Sequence, residues 1–208
     1  MITDYVLGTV SLVWGGIVWR RARIDKVAAG LWWAAGFWAV ALAAFTGGTV
    51  HGFRGPLGPG WEPVLWKASL FAIGGFAFVA LMTAIVGGVS RRWRSLSIGI
   101  AVIALVGYLV WVSGNPQFRY ASLASAIGLG VLLVQQVAAR IRFGVPSAPW
   151  IAAGVAIAAV GAEIQQAGLA PRPYFNHNDL FHVIQIVSTY LFYRGGLLLS
   201  DRNARLAA

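Results

Sequence analysis

Long apolar runs alternate along this chain with short polar or basic connections. A bilayer-crossing helix needs about 20 apolar residues. The runs predict seven such helices, over 2–19, 27–50, 64–89, 96–112, 120–138, 150–169 and 179–199. The fourth is the shortest, and Trp93 and Trp111 bracket it as interfacial aromatics do. The connections are short, so 1–208 reads as a single seven-helix transmembrane domain. Glycines inside the runs (Gly15 and Gly16, Gly74 and Gly75, Gly128, Gly130, Gly154) allow membrane helices to approach closely. The expected fold is an all-α, polytopic membrane bundle.

The basic residues give this bundle a direction. Arg20, Arg21, Arg23 and Lys26 follow the first run, and Arg91, Arg92 and Arg94 the third. Arg140 and Arg142 follow the fifth, and Arg194, Arg202 and Arg205 close the seventh. All fall on one side, against Arg54, Arg119 and Arg172 on the other. Cytoplasmic loops carry the excess of Lys and Arg, which predicts the N-terminus outside and the C-terminus in the cytoplasm. The first four residues, Met1, Ile2, Thr3 and Asp4, lack the basic start of a secretory signal, so the first run reads as a retained helix.

Composition agrees. The chain is 59% hydrophobic and 11% charged, far more apolar than a soluble domain of this size. The formal net charge of +10 would suggest nucleic acid in a soluble protein, but topology and attraction to anionic lipid account for it. No nucleic-acid partner is expected; the bilayer is the partner. The absence of cysteine excludes disulfides, iron–sulfur clusters, thiolate zinc sites and covalently attached haem.

The remaining polar residues gather in the outer half. His51 ends the second predicted helix, and His177 and His182 begin the seventh. Glu62 precedes the third, with Thr49 and Lys67 nearby. Glu163, Gln165 and Gln166 lie close to the outer end of the sixth. Ionisable groups at membrane depth are costly and face a cavity or a partner, and Glu163 in particular calls for a buried partner. Asp179, His182 and Gln185 share one helix face, with Asn178 beside it. His177 and His182 are five residues apart, roughly 140° around a regular helix. His177 therefore joins the others only from the helix start or from a loop, which Pro171 and Pro173 favour. Plainer roles exist as well. Asn176 or Asn178 suits an N-cap, and with Asn176 as cap Asp179 becomes the third helical residue. His51 suits an interfacial helix end, and Lys67 can snorkel to the headgroups.

Three imidazoles suffice to hold a catalytic zinc, with a water in the fourth position. The candidates are His51, His177 and His182, with Glu163 or Asp179 as orienting carboxylate or general base. Seven helices, a histidine ending the second and a histidine-bearing start to the seventh resemble the CREST superfamily. That group includes alkaline ceramidases, progestin and adiponectin receptor proteins and haemolysin III-like proteins. Its pattern is a Ser and a His on helix two, an Asp at helix three and HxxxH on helix seven. His51, within Thr46-Gly47-Gly48-Thr49-Val50-His51, matches the helix-two histidine, and His182 matches the last histidine of HxxxH. Asn178 stands four residues before His182, with His177 one place further; Gly47 stands four before His51, and Glu62 is the candidate helix-three acid. The resemblance implies a zinc-dependent membrane hydrolase acting on a lipid-like amide or ester. The run from Phe175 to Gln185 also resembles small bacterial membrane proteins, which implies a bacterial inner membrane.

Two other functions fit the residues. His51 and His182 could be axial ligands of haem b, or part of a quinone site, in an electron-transfer protein. Ten tryptophans and short loops also suit a non-catalytic subunit of a larger membrane complex. A retinal protein is disfavoured, because the seventh helix has no lysine.

Overall fold

A computed structural model describes residues 2–170, 172, 175–202 and 206; Pro171, Pro173 and Arg205 lie outside the described residues. The described chain is all-α. Its six helices are α1 (Ile2–Asp25), α2 (Ala28–Gly88), α3 (Arg91–Gly114), α4 (Phe118–Phe143), α5 (Ala148–Gln166) and α6 (His177–Gly196).

The two runs expected as separate helices over 27–50 and 64–89 belong to one element, α2, of 61 residues. A straight helix of that length would measure about 90 Å, some three bilayer cores. The chain instead turns over. Backbone geometry leaves the helix at Phe53 (φ −127°, ψ 22°) and at Gly58 (φ 62°, ψ −177°), among Pro56, Pro59 and Pro63. Prolines remove helix donors, and a glycine tolerates the positive φ at position 58. The limbs then pack side by side. Ser69 Oγ donates to the Ala43 carbonyl at 2.9 Å. Trp33 lies against Phe76, and Trp32 meets Phe78 edge-on. Residue numbers fall on one limb as they rise on the other, so α2 is an antiparallel helical hairpin.

Helices α1 to α5 are long and apolar enough to cross a membrane. Helix α6 does not join them, because His177, Asn178, Asp179, His182 and Gln185 crowd its first turns. The core forms where α1, both limbs of α2, α4, α5 and α6 meet, around Val18, Trp33, Phe37, Leu132, Ile151 and Phe192. The Trp33 indole donates to the Phe192 carbonyl at 3.1 Å and so satisfies its one polar atom there. Helix α3 lies outside this core, and only its Ala101 and Val112 are buried. Large apolar side chains such as Leu12, Ile103, Val110, Val134 and Ile141 face outward, a surface suited to lipid.

The helices overrun the apolar stretches that announced them. α1 continues to Asp25 and α4 to Phe143, because backbone hydrogen bonding outlasts apolarity. At the basic end the Asp201 carboxylate accepts the backbone N–H groups of Ala28 and Ala29, both at 2.9 Å. Val27 offers no side-chain cap, so an acidic residue beyond α6 serves the start of α2.

Candidate functional site

At the other end of the bundle, α6 begins with a capping box. The Asn176 side chain accepts from the N–H groups of Asn178 and Asp179 at 2.9 and 3.2 Å, and Asp179 Oδ2 accepts from Asn176 N–H at 3.3 Å. Asp179 is thus the third helical residue, as the capping reading expects. Starting the helix there turns His182 and Gln185, three residues apart, onto one face toward the bundle interior.

Asp4, in the first turn of α1, meets that face. It is only 1% exposed. Its approach depends on Gly48, where an added Cβ would sit 2.5 Å from Asp4 Cβ. The Asp4 Oδ1 atom lies 3.3 Å from His51 Nδ1 and 3.4 Å from His182 Nε2. The two imidazole centroids are 6.4 Å apart. An ionised carboxylate is acceptor-only, so the His51 ring turns an N–H toward it. That assignment puts the proton of neutral His51 on Nδ1 and leaves its Nε2 as a lone-pair base. His51 Nε2 has no hydrogen-bond partner among the described residues, and the His51 side chain is 31% exposed. His182 is buried. Its Nδ1 lies 3.5 Å from Thr3 Oγ1, which itself donates to Asp179 Oδ1 at 2.9 Å. A polar chain therefore runs Asp179, Thr3, His182, Asp4, His51 across α6, α1 and α2.

This chain stands at one end of a cavity of about 470 Å³. The volume is within the range of about 300–1,000 Å³ usual for small-molecule sites. Asp4, His51, His177 and His182 line the cavity, as do Gln165 and Asn178, which are joined by a 3.4 Å hydrogen bond between α5 and α6. The walls are apolar and aromatic, and Trp33, Phe37 and Phe192 line them toward the basic end of the helices. Among the described residues no lysine, arginine or glutamate lines it.

The expected site residues divide accordingly. His51 and His182 come together. His177 lines the same cavity but has no hydrogen bond or ring contact with either. It opens α6 five residues before His182 and so points along a different side of the helix. Among the described residues no group of three or more His, Cys, Asp or Glu is placed to hold a metal ion. The imidazole nitrogens that converge do so on the Asp4 carboxylate, so His51, His177 and His182 do not fit a shared zinc. Glu163 does not meet the buried partner expected of it; it is exposed and off the cavity, as is Gln166. Glu62 pairs with Arg54 at 2.8 Å across the bend of α2, and Lys67 is half-buried but does not line the cavity. Thr49 donates to the Phe45 carbonyl at 2.7 Å and accepts from Tyr5 at 2.8 Å, tying α1 to α2 beside the site. Asp179 accepts from Thr3 Oγ1 and is not among the residues that line the cavity. Gln185 lines the cavity and donates to the Ala158 carbonyl at 3.4 Å.

Asp4 is the residue that sequence reasoning missed. The signal was present: it is one of six acidic residues, and it lies inside an apolar run.

The fold and the site define an all-α protein, most of whose helices are apolar enough to span a membrane, with an ionisable cluster in the lining of an apolar cavity. A family model described as a family of unknown function (DUF6962) matches residues 1–201, and the chain belongs to that family. No curated protein and no solved structure matches it.

Proposed function

We propose that this protein is an integral membrane hydrolase whose cavity takes a lipid-like amide or ester. The observation that carries this reading is Asp4 Oδ1 at 3.3 Å from His51 Nδ1, beside an apolar cavity. Both limbs of α2, together with α6, complete seven membrane-crossing segments. The acidic-histidine end faces outward and the Arg-rich end faces the cytoplasm, in a bacterial inner membrane. The excess of basic residues around 20–26, 91–94 and 140–142 supports that orientation.

In the reaction, Asp4 holds the Nδ1–H tautomer of His51, as a carboxylate does for a catalytic imidazole. His51 Nε2 takes a proton from water as the water oxygen adds to the acyl carbonyl. The tetrahedral adduct then collapses, the bond to the amine or alcohol breaks, and His51 returns the proton to that leaving group. The products are a carboxylic acid and a free amine or alcohol. His182 holds Asp4 from the opposite side. The hydrolytic chemistry agrees with the CREST resemblance, but zinc is given no step here, because the histidines do not fit it.

The test is release of fatty acid from a panel of neutral long-chain amides and esters by purified, reconstituted protein, followed by mass spectrometry. Wild type releases acid from at least one, and His51→Ala slows that release by roughly 10²- to 10⁴-fold. Wild type inactive on the whole panel, or His51→Ala at full rate, overturns the proposal. A second reading, a non-catalytic subunit of a larger membrane complex, draws on α3, whose outward apolar side chains leave only Ala101 and Val112 buried. Recovery of a stable large complex that is unaffected by His51→Ala would favour it.

A further inference from the structure

We infer that the cavity is a length gauge for one uncharged alkyl or acyl chain, about 12 to 22 carbons by the rise of its walls, with Trp33, Phe37 and Phe192 as its floor. This deepens the hydrolase reading and rests on it. The depth can be counted along the lining of each wall. Gln165 to Val155 on α5 and Trp66 to Phe76 on the second limb of α2 each span ten residues, or about 15 Å of helix rise. Phe118 to Gly130 on α4 gives about 18 Å, His177 to Phe192 on α6 about 22 Å, and His51 to Trp33 on the first limb of α2 about 27 Å. A fully extended chain advances up to about 3.6 Å over three bonds, or 1.2 Å per bond, so the walls seat about 12 to 22 bonds.

The floor is fixed rather than soft. Trp33 is 1% exposed and donates to the Phe192 carbonyl at 3.1 Å. Its ring meets the Phe192 ring edge-on at 5.4 Å. A longer chain would have to displace packed aromatic rings, and overpacking a tight core is unfavourable. The volume of about 470 Å³ is at the smaller end for ligand cavities, which suits one chain rather than two.

Charge selects the head. The cavity has one carboxylate, Asp4, already faced by two imidazoles, and no lysine or arginine lines it among the described residues. An anionic head would lie beside Asp4 without a fixed cation, which is unfavourable at membrane depth. An amide, ester or hydroxyl head meets only hydrogen-bonding groups there.

The test uses non-hydrolysable 1-alkyl glycerol ethers, presented as an equimolar mixture of about 8 to 26 carbons to the full chain in lipid nanodiscs. Native mass spectrometry reads the bound species. Wild type retains chains up to a sharp cutoff between about 12 and 22 carbons and excludes longer ones. Phe192→Ala, which opens the floor, moves the cutoff several carbons longer. Ala158→Leu, partway down the α5 wall, moves it shorter and guards against misfolding of the first variant. Binding without a cutoff, or cutoffs that neither variant moves, overturns the gauge while leaving the amphiphile site standing. Fatty acids of equal length bound as well as the ethers overturn the uncharged-head requirement. No chain bound at any length removes both the gauge and the hydrolase reading.

Discussion

His182 Nε2 lies 3.4 Å from Asp4 Oδ1, so the second turn of α6 is tied to the first turn of α1. His51 approaches the same oxygen from α2. Three helices distant in sequence thus share one carboxylate. In a low-dielectric bundle such a buried group matters most when its charge is removed, because His51 keeps its orientation only while the carboxylate accepts from it.

Asp4→Asn tests that role with little change of volume. The amide is uncharged and presents N–H donors, so it no longer favours one His51 tautomer. Hydrolysis is expected to fall about 10²- to 10⁴-fold, by analogy with loss of an orienting carboxylate. The measurement is the initial rate of acid release, with unfolding temperature in detergent as the control for folding.

Gly48 sets the distance between α1 and α2. A Cβ there would lie 2.5 Å from Asp4 Cβ, so Gly48→Ala must push the helices apart. The expected cost is about 1–3 kcal/mol, typical of overpacking. Denaturation of the purified variant measures it, and the hydrolysis rate should fall with it because the Asp4–His51 contact lengthens.

Much of the architecture can be read from the sequence, for stateable reasons. Apolar runs mark helices because the bilayer leaves a backbone no other way to satisfy its hydrogen bonds. The bend of α2 was written in Pro56, Gly58, Pro59 and Pro63, yet helical turns persist through it, so two expected helices are one element. The convergence of His51 with His182 follows from chain alternation. Nothing local singles out Asp4, since an acid in a first turn already suits the helix dipole. Its contact with His51 depends on Gly48, forty-four residues away, and no local pattern announces that pairing. Glu163 misled in the opposite way: nearness to the outer end of a helix does not say which face a side chain occupies, and Glu163 faces out.

Glu163→Gln therefore leaves hydrolysis unchanged within error, despite the rarity of acidic residues in this chain. A rate assay beside Asp4→Asn separates the two carboxylates; a comparable loss in both would return Glu163 to the site.

Asp201 works at the far end of the bundle. Its two 2.9 Å contacts cap the start of α2, so Asp201→Ala should cost about 0.5–2 kcal/mol of stability. Thermal unfolding in detergent checks the loss. The rate per folded molecule should not change, because the cap lies at the basic end, away from Asp4 and His51.

The central claim is that Asp4 and His51 act as one unit. A double-mutant cycle on the hydrolysis rate with Asp4→Asn, His51→Ala and the pair tests it most directly. Residues that act together are strongly non-additive. The double variant is predicted to be no slower than the slower single variant. Losses that multiply would contradict the claim, as would a double variant that keeps the wild-type rate.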